Sequence, residues 1–304
     1  MKLDFDVIVI GSGVAGMTAS IYLSRAGLSC CILEKYSPGG QIIKSHKVEN
    51  YPGFNEISGI ELTTKILNQT KLNGVVHKYG ECLEIIDNKT YKTIKTQKED
   101  LTCKAVIIAS GRKPRQLEIE DATDLIGKGL SYCATCDGNF YRGENVVVIG
   151  SSDVALTEAL YLSNICNKVT LLVRKDYLRA QETLQQQVKK CQNIHINYNT
   201  TVKKLNTKEE GTLKTITIVK NNQEEQIEAK GCFVCIGYIP DTEPCKSIID
   251  LDEEGYVKVK EGNRTNIDKI YAAGDLIKKE TYQLLTAMSD AVLAADSCIK
   301  DLKK

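Results

Sequence analysis

The first 34 residues hold a strand, three spaced glycines, a helix and a second strand ending on an acid, an order that few folds accept. Phe5-Asp-Val-Ile-Val-Ile10 reads as a buried parallel strand, because apolar and β-branched residues run on almost without a break. It leads into Gly11-Ser12-Gly13-Val14-Ala15-Gly16 and then a helical pattern from Met17 to Arg25, ended by Gly27. Residues 28–33 read as the next strand, with Glu34 at its end. This is the dinucleotide-binding fingerprint in its required context. Gly11 permits the tight turn, Gly13 lets a pyrophosphate approach bare backbone, Gly16 lets helix and strand pack closely, and Glu34 accepts from ribose hydroxyls.

The pattern then recurs. After Ser37-Pro-Gly-Gly40-Gln41 and Val48-Glu-Asn50-Tyr-Pro-Gly53, two loops whose glycines suit backbone lying close to a flat ligand, a helix is expected over 59–72. Strands follow at 82–86, 90–96 and 104–109, and Ser110-Gly111-Arg112-Lys113-Pro114 punctuates a domain exit. Asn145 to Ile149 is again an apolar strand, followed by Gly150-Ser151-Ser152-Asp153-Val154-Ala155, a helix through Leu162 and a strand at 169–173. This second fingerprint is damaged: a hydroxymethyl group at Ser152 stands where a phosphate would press on backbone. Further strands are expected at 194–205, 213–219 and 230–236, and Gly237 to Asp241 reads as a second linker. The tail supplies Lys269-Ile-Tyr-Ala-Ala-Gly274-Asp275, a strand closing on Gly-Asp, and a helix from about Gln283 to Leu302. The expected class is α/β, with two Rossmann-like three-layer domains, the second inserted into the first.

Between the two fingerprints lies Cys133-Ala-Thr-Cys136-Asp137-Gly138. Two thiols three apart at a helix start can alternate between disulfide and dithiol, and the adjacent Asp137 is placed to move a proton. Half a zinc site is a competing reading, but no second Cys/His pair stands at ligand spacing. Two bystander thiols are another. A second CxxC, Cys232-Phe-Val-Cys235, falls in a strand, where residues three apart face opposite sides, so these read as core cysteines. His46, His77 and His195 show no metal spacing, and no metal site is expected.

Composition narrows the partners. The 304 residues carry 40 Lys+Arg against 39 Asp+Glu, so nothing points to nucleic acid or a membrane surface. No apolar run reaches the ~18 residues of a membrane span, and the start, with Asp4 and Asp6, is unlike a secretory signal. A cytoplasmic protein is expected, in which the 12 Cys are mostly free thiols and a CxxC is more often catalytic than structural. Two dinucleotide-like folds around a thiol pair suggest electrons crossing a flat cofactor to a disulfide.

In motif order the chain resembles the low-molecular-weight thioredoxin reductase family, through Gly11–Gly16, Pro38-Gly-Gly-Gln41, Glu49-Asn-Tyr-Pro-Gly53, Cys133–Gly138, Glu158-Ala-Leu-Tyr-Leu-Ser-Asn164 and Ala272-Ala-Gly-Asp275. The resemblance implies an FAD domain from residues 1–113 and 240–304, an inserted disulfide domain at 114–239, and a homodimer. It implies Cys136 facing the flavin as the charge-transfer thiolate, Cys133 attacking the thioredoxin disulfide, and Asp137 as acid/base. FAD would be held by Gly11, Ser12, Gly13, Gly16, Glu34, Gly40, Gln41, Asn50, Gly111, Gly274, Asp275 and Gln283. Family members that use NADPH carry Gly-x-Gly-x-x-Ala and His-Arg-Arg-x-x-x-Arg, which here read Gly150-Ser-Ser152-Asp-Val-Ala155 and Val173-Arg174-Lys175-Asp-Tyr-Leu-Arg179. The usual Arg-Gln pair near the flavin reads Tyr282-Gln283. This resembles the pyridine-nucleotide-independent branch, which implies electrons from reduced ferredoxin. An NADPH-dependent reductase that keeps Arg174 and Arg179 on the phosphate is the alternative. A flavin-binding redox sensor without turnover is the remote one.

Overall fold

A computed structural model describes residues 2–45 and 48–303, so His46 lies outside the described residues. The chain forms two compact units, one from Met1–Lys113 and Ile239–Lys304, the other from Pro114–Tyr238. In chain order the first unit opens with β1 (Phe5–Ile10), α1 (Val14–Arg25), β2 (Cys30–Glu34), α2 (Gly59–Leu72), β3 (Val76–Tyr79), β4 (Glu84–Asp87), β5 (Lys92–Lys95) and β6 (Asp100–Ile108). The short β7 (Arg112–Pro114) leads into the second unit, with β8 (Leu130–Ser131), α3 (Ala134–Asp137), β9 (Asn145–Ile149), α4 (Asp153–Ser163) and β10 (Lys168–Leu172). It continues through α5 (Glu182–Lys190), β11 (Ile194–Asn197), β12 (Thr200–Thr207), β13 (Leu213–Lys220), β14 (Gln223–Glu228) and β15 (Gly231–Val234). After β16 (Tyr238–Pro240) the first unit closes with β17 (Ile270–Ala272) and α6 (Leu284–Leu302).

The first unit is built on the sheet β3-β2-β1-β6-β5-β4, with β17 also paired to β6. β3, β2, β1, β6 and β17 are parallel, and β4 and β5 return antiparallel beside the first half of β6. Strand alternation sorts β1 between two cores: Val7 and Val9 pack with residues of α1, α2 and α6, while Ile8 and Ile10 pack with Ile85, Ile94 and the segment holding Cys245, Ile249 and Val257. Helices therefore cover one face, and the antiparallel strands with irregular chain cover the other.

The second unit repeats the parallel core, in the order β11-β10-β9-β15-β8. Val146 and Val148 face Leu156, Ala159 and Leu162 of α4, whereas Val147 faces Leu205, Leu213 and Ile216 of the separate antiparallel sheet β12-β13-β14. Cys232 falls in the sheet-side core and Cys235 in the helix-side core, on opposite faces as a strand requires. The strand expected over 194–205 is broken. Asn199 adopts φ +51°, and the chain turns there from the parallel sheet into the antiparallel one. Strands β3 and β14 and helix α5 carry too few apolar residues to stand out in the sequence.

Candidate redox and cofactor sites

In the first unit, the sequence-predicted cofactor residues gather at the C-terminal ends of β1, β2, β6 and β17. Gly11 turns with φ +102°, and any side chain there would meet the Ala109 carbonyl oxygen at 2.4 Å. A side chain at Gly16 would lie 1.9 Å from the Gly11 carbonyl oxygen, so α1 can approach the turn only with glycine. Gly13 caps α1 with φ −72° and ψ 178°, and the space in front of its missing side chain is open. That opening faces the backbone N–H groups at the helix start, the arrangement that binds a pyrophosphate. The Ser12 hydroxyl is buried without a hydrogen-bond partner among the described residues, as a group waiting for a ligand would be.

Neighbouring loops close around this turn. Glu34 accepts from the N–H groups of Ser12 (2.7 Å) and Tyr36 (2.8 Å), so its carboxylate fixes the loop as well as marking the end of β2. Gly39 donates to the Ser12 carbonyl at 2.7 Å, and Gly40, at φ +59°, lies against Gly13. Gln41 donates to the Arg112 carbonyl at 3.0 Å, just after Gly111 at φ +69°. Asn50 donates to Gln283 at 3.1 Å, where Gln283 caps α6. Gly274, at φ +86°, packs against Ala15, and Asp275 pairs with Arg112 at 2.9 Å while its second oxygen is buried without a hydrogen bond. Sequence reading overlooked Arg112, whose guanidinium also stacks 3.8 Å above the ring of Tyr282. Its place directly after Gly111 at a strand end was the available signal. The open backbone at Gly13 and the buried Ser12 hydroxyl fit a dinucleotide, and Asp275 Oδ1, which has no hydrogen bond and faces Lys279 at 3.8 Å, fits the start of its polyol chain.

In the second unit Cys133 and Cys136 form a disulfide, with their Cα atoms 5.3 Å apart. Cys133 is the N-cap of α3 and is buried, whereas Cys136 is exposed. The Cys133 sulfur accepts from the Cys136 N–H at 3.2 Å and lies 3.3 Å from the Thr135 hydroxyl, contacts that would stabilise charge on it. Ser131, at the end of β8, donates to Asp137 Oδ2 at 2.7 Å and accepts from the Cys133 N–H at 3.0 Å. It thereby ties the carboxylate to the disulfide loop. Glu158 on α4 accepts from the Ala134 N–H at 3.1 Å and from the Cys235 thiol at 3.3 Å. Ser131 and Glu158 have no pattern of their own in the sequence as redox residues.

The second fingerprint has the first one's backbone and a different surface. Gly150 turns at φ +152° against the Cys235 carbonyl as Gly11 does against Ala109. Ser152 takes φ −88° and ψ 174°, close to the values of Gly13, so its side chain projects into the space that Gly13 leaves open. Ser152, Val154, Tyr132, Cys235 and Tyr238 line a cavity of about 50 Å³. Val173 is fully buried in the core, Arg174 and Lys175 are exposed, and Arg179 binds back to Ser151 through its N–H (2.8 Å) and Nε (3.3 Å). His77 meets Thr70 at 2.8 Å and His195 is exposed, and among the described residues no group of three or more His, Cys, Asp or Glu could hold a metal. No described helix is long and apolar enough to cross a membrane.

A dinucleotide cradle in one unit and a disulfide in the other define a disulfide oxidoreductase on nucleotide-binding folds, and residues 5–291 match the family described as pyridine nucleotide-disulphide oxidoreductase. The chain is 39% identical to a thioredoxin reductase of Bacillus subtilis over 96% of its own length and 93% of that protein's. Its fold matches a crystal structure of Lactococcus lactis thioredoxin reductase with a TM-score of 0.93 at 35% identity, covering 99% of both chains. A ferredoxin-flavin thioredoxin reductase from Clostridium acetobutylicum matches with a TM-score of 0.54 at 25% identity, covering 98% of both chains. The chain belongs to the low-molecular-weight thioredoxin reductase family, which implies FAD as its cofactor.

Proposed function

We propose that this protein reduces the disulfide of thioredoxin through FAD and the Cys133–Cys136 pair, with reduced ferredoxin as the electron source. FAD supplies the two-electron reservoir that collects single electrons and delivers them in pairs. In the first unit Gly11, Ser12, Gly13 and Gly16 would seat its pyrophosphate, Glu34 the adenosine ribose, and Gly40, Gln41, Asn50, Gly111, Gly274, Asp275 and Gln283 the remainder. Reduction opens the Cys133–Cys136 bond to a dithiol. The Cys133 thiolate then attacks one thioredoxin sulfur, the other leaves as a thiolate, and Cys136 attacks Cys133 to release reduced thioredoxin and close the ring. Asp137, held by Ser131, moves the proton that the departing sulfur needs. Cys133 is buried with the ring closed, so its attack requires exposure once the ring opens. The protein acts in the cytoplasm as a homodimer, by likeness to its family.

The donor assignment rests on Ser152. Its φ and ψ are close to those of Gly13, so its hydroxymethyl group would stand where a pyrophosphate approaches bare backbone in the first fingerprint. A second reading, NADPH as donor, draws on Arg174 and Arg179 as the cations for a 2′-phosphate; Arg174 is exposed, while Arg179 is hydrogen-bonded back to Ser151. Anaerobic stopped-flow mixing separates the two. Reduced ferredoxin is expected to bleach the flavin rapidly and millimolar NADPH to leave it oxidised. Rapid bleaching by NADPH overturns the ferredoxin reading. Failure of both donors to drive thioredoxin reduction would leave a sensor without turnover.

A further inference from the structure

At the cofactor cradle of the first unit, one carboxylate is gripped at one oxygen and left open at the other. β17 runs parallel to β6 with Ala272 opposite Ile108, so the residues that follow the two strands meet. Arg112 Nη2 donates to Asp275 Oδ2 at 2.9 Å, while Oδ1 is buried with no hydrogen bond. The two side chains are 20% and 25% exposed, so the pair is screened less than a surface one. The Arg112 guanidinium also lies 3.8 Å from the centre of the Tyr282 ring. Tyr282 is fixed in turn: its ring centre sits 6.1 Å from that of Tyr256, and its hydroxyl accepts from the Lys279 N–H at 3.4 Å.

We propose that Arg112 is a positioning residue of the flavin site. Stacked on Tyr282, it holds Asp275 by Oδ2 and thereby presents Oδ1 to a hydroxyl of the cofactor's polyol chain. The inference deepens the FAD reading and rests on it. A carboxylate turns easily about its last bond, because that torsion has broad minima. A planar guanidinium fixes the plane of the carboxylate, and an aromatic face keeps the guanidinium itself from swinging. Lys279 is the other cation paired with this carboxylate among the described residues, 3.8 Å from Oδ1. It is drawn off by its own pair with Asp290, which leaves Oδ1 unbonded. Released from Arg112, Asp275 could turn that oxygen onto Lys279 and away from a ligand.

The test is a fluorescence titration of the flavin-stripped full chain with FAD and with 2′-, 3′- and 4′-deoxy-FAD, each lacking one ribityl hydroxyl. The wild type is expected to bind one of the three roughly ten- to 100-fold more weakly than FAD, as for a hydrogen bond to a charged group. Arg112→Ala is expected to bind FAD about tenfold more weakly and to cut that analogue's penalty to about threefold or less. A merely structural loss would weaken all four flavins alike and keep the penalty. Wild-type FAD affinity in Arg112→Ala, or the full penalty in it, overturns the proposal. So does a wild type that binds all three analogues as well as FAD. Arg112→Lys keeps the charge without the fork and is expected to lose part of the penalty. Should the Ala variant not fold, the full penalty in the Lys variant overturns the proposal alone. A wild-type chain that takes up none of the four flavins sinks the FAD reading itself.

Discussion

Gly16→Ala is the substitution whose consequence the geometry fixes most tightly. The added carbon would stand 1.9 Å from the Gly11 carbonyl oxygen and 3.0 Å from its carbon, with Val9 3.3 Å away on the other side. Non-bonded carbon contacts are comfortable near ~3.5–4.0 Å, so α1 or the turn must give way by more than an ångström. The turn is poorly placed to yield. Gly11 is pinned by its N–H to the Leu33 carbonyl at 2.8 Å, and Ala109 blocks its other side. Overpacking of this kind costs about 1–3 kcal/mol, and the strain falls on the loop that must present its N–H groups to a pyrophosphate. At ~1.4 kcal/mol per tenfold, FAD affinity should fall roughly five- to 150-fold. The apo unit should melt ~2–12 °C lower, taking ~2–4 °C per kcal/mol for a domain of this size. Reconstituting the apoprotein with FAD while following flavin fluorescence measures the first quantity, and calorimetry the second. A variant that purifies fully yellow with an unchanged Tm would refute both the steric argument and the placement of the cofactor at this turn.

Two further outcomes are expected. Cys136→Ser should abolish turnover and any long-wavelength thiolate–flavin absorbance, whereas Cys133→Ser should abolish turnover and keep a thiolate able to show that band; spectra with the reverse pattern would exchange the roles of the two sulfurs. Burial pushes Cys31, Cys82, Cys103, Cys232 and Cys245 up to about 12, so at pH 7–8 they stay protonated and should resist alkylation in the reduced native protein. Intact-mass measurement after a short iodoacetamide pulse should therefore show Cys133 and Cys136 labelled first, and early labelling of the five buried thiols would contradict the core described above.

Much of the fold was legible because its strongest signals are local. β1 and β9 are continuous apolar runs, each meets a glycine that must turn, and each is followed by an apolar helix. β3 and β14 were not legible, since VHKY and QEEQIE expose most of their side chains and owe their strand form to a neighbour's hydrogen bonds. The cofactor residues could be listed from motifs, but the contact of Arg112 with both Asp275 and Tyr282 spans 163 and 170 positions of sequence and has no local trace. Glu158 shows the same limit in the second unit. Its motif was visible, yet its bond to Ala134 depends on how α4 crosses the start of α3, a packing relation that periodicity does not encode.

The two βα turns form an internal comparison that bears on why a damaged nucleotide fold persists around the disulfide. Both keep the glycine that turns against a neighbouring strand's carbonyl, Gly11 on Ala109 and Gly150 on Cys235, because that contact joins helix to sheet whether or not a ligand is present. They differ at the positions a ligand would use, where Gly13 faces open space and Ser152 fills it. Gly16 has its counterpart in Ala155, and φ at the preceding glycine opens from +102° to +152°. The wider angle gives that extra carbon room against the turn. What the second fold retains is the mount: α4 packed on β9 through Leu156, Ala159 and Leu162, and Glu158 delivered from that helix to the Ala134 N–H. Restoring glycine at Ser152 should therefore leave this mount and the thioredoxin equilibrium intact while reopening the phosphate position. Ser152→Gly is expected to bind NADPH more tightly than the wild type in equilibrium dialysis; equal affinity would show that the hydroxymethyl group is not what excludes the nucleotide.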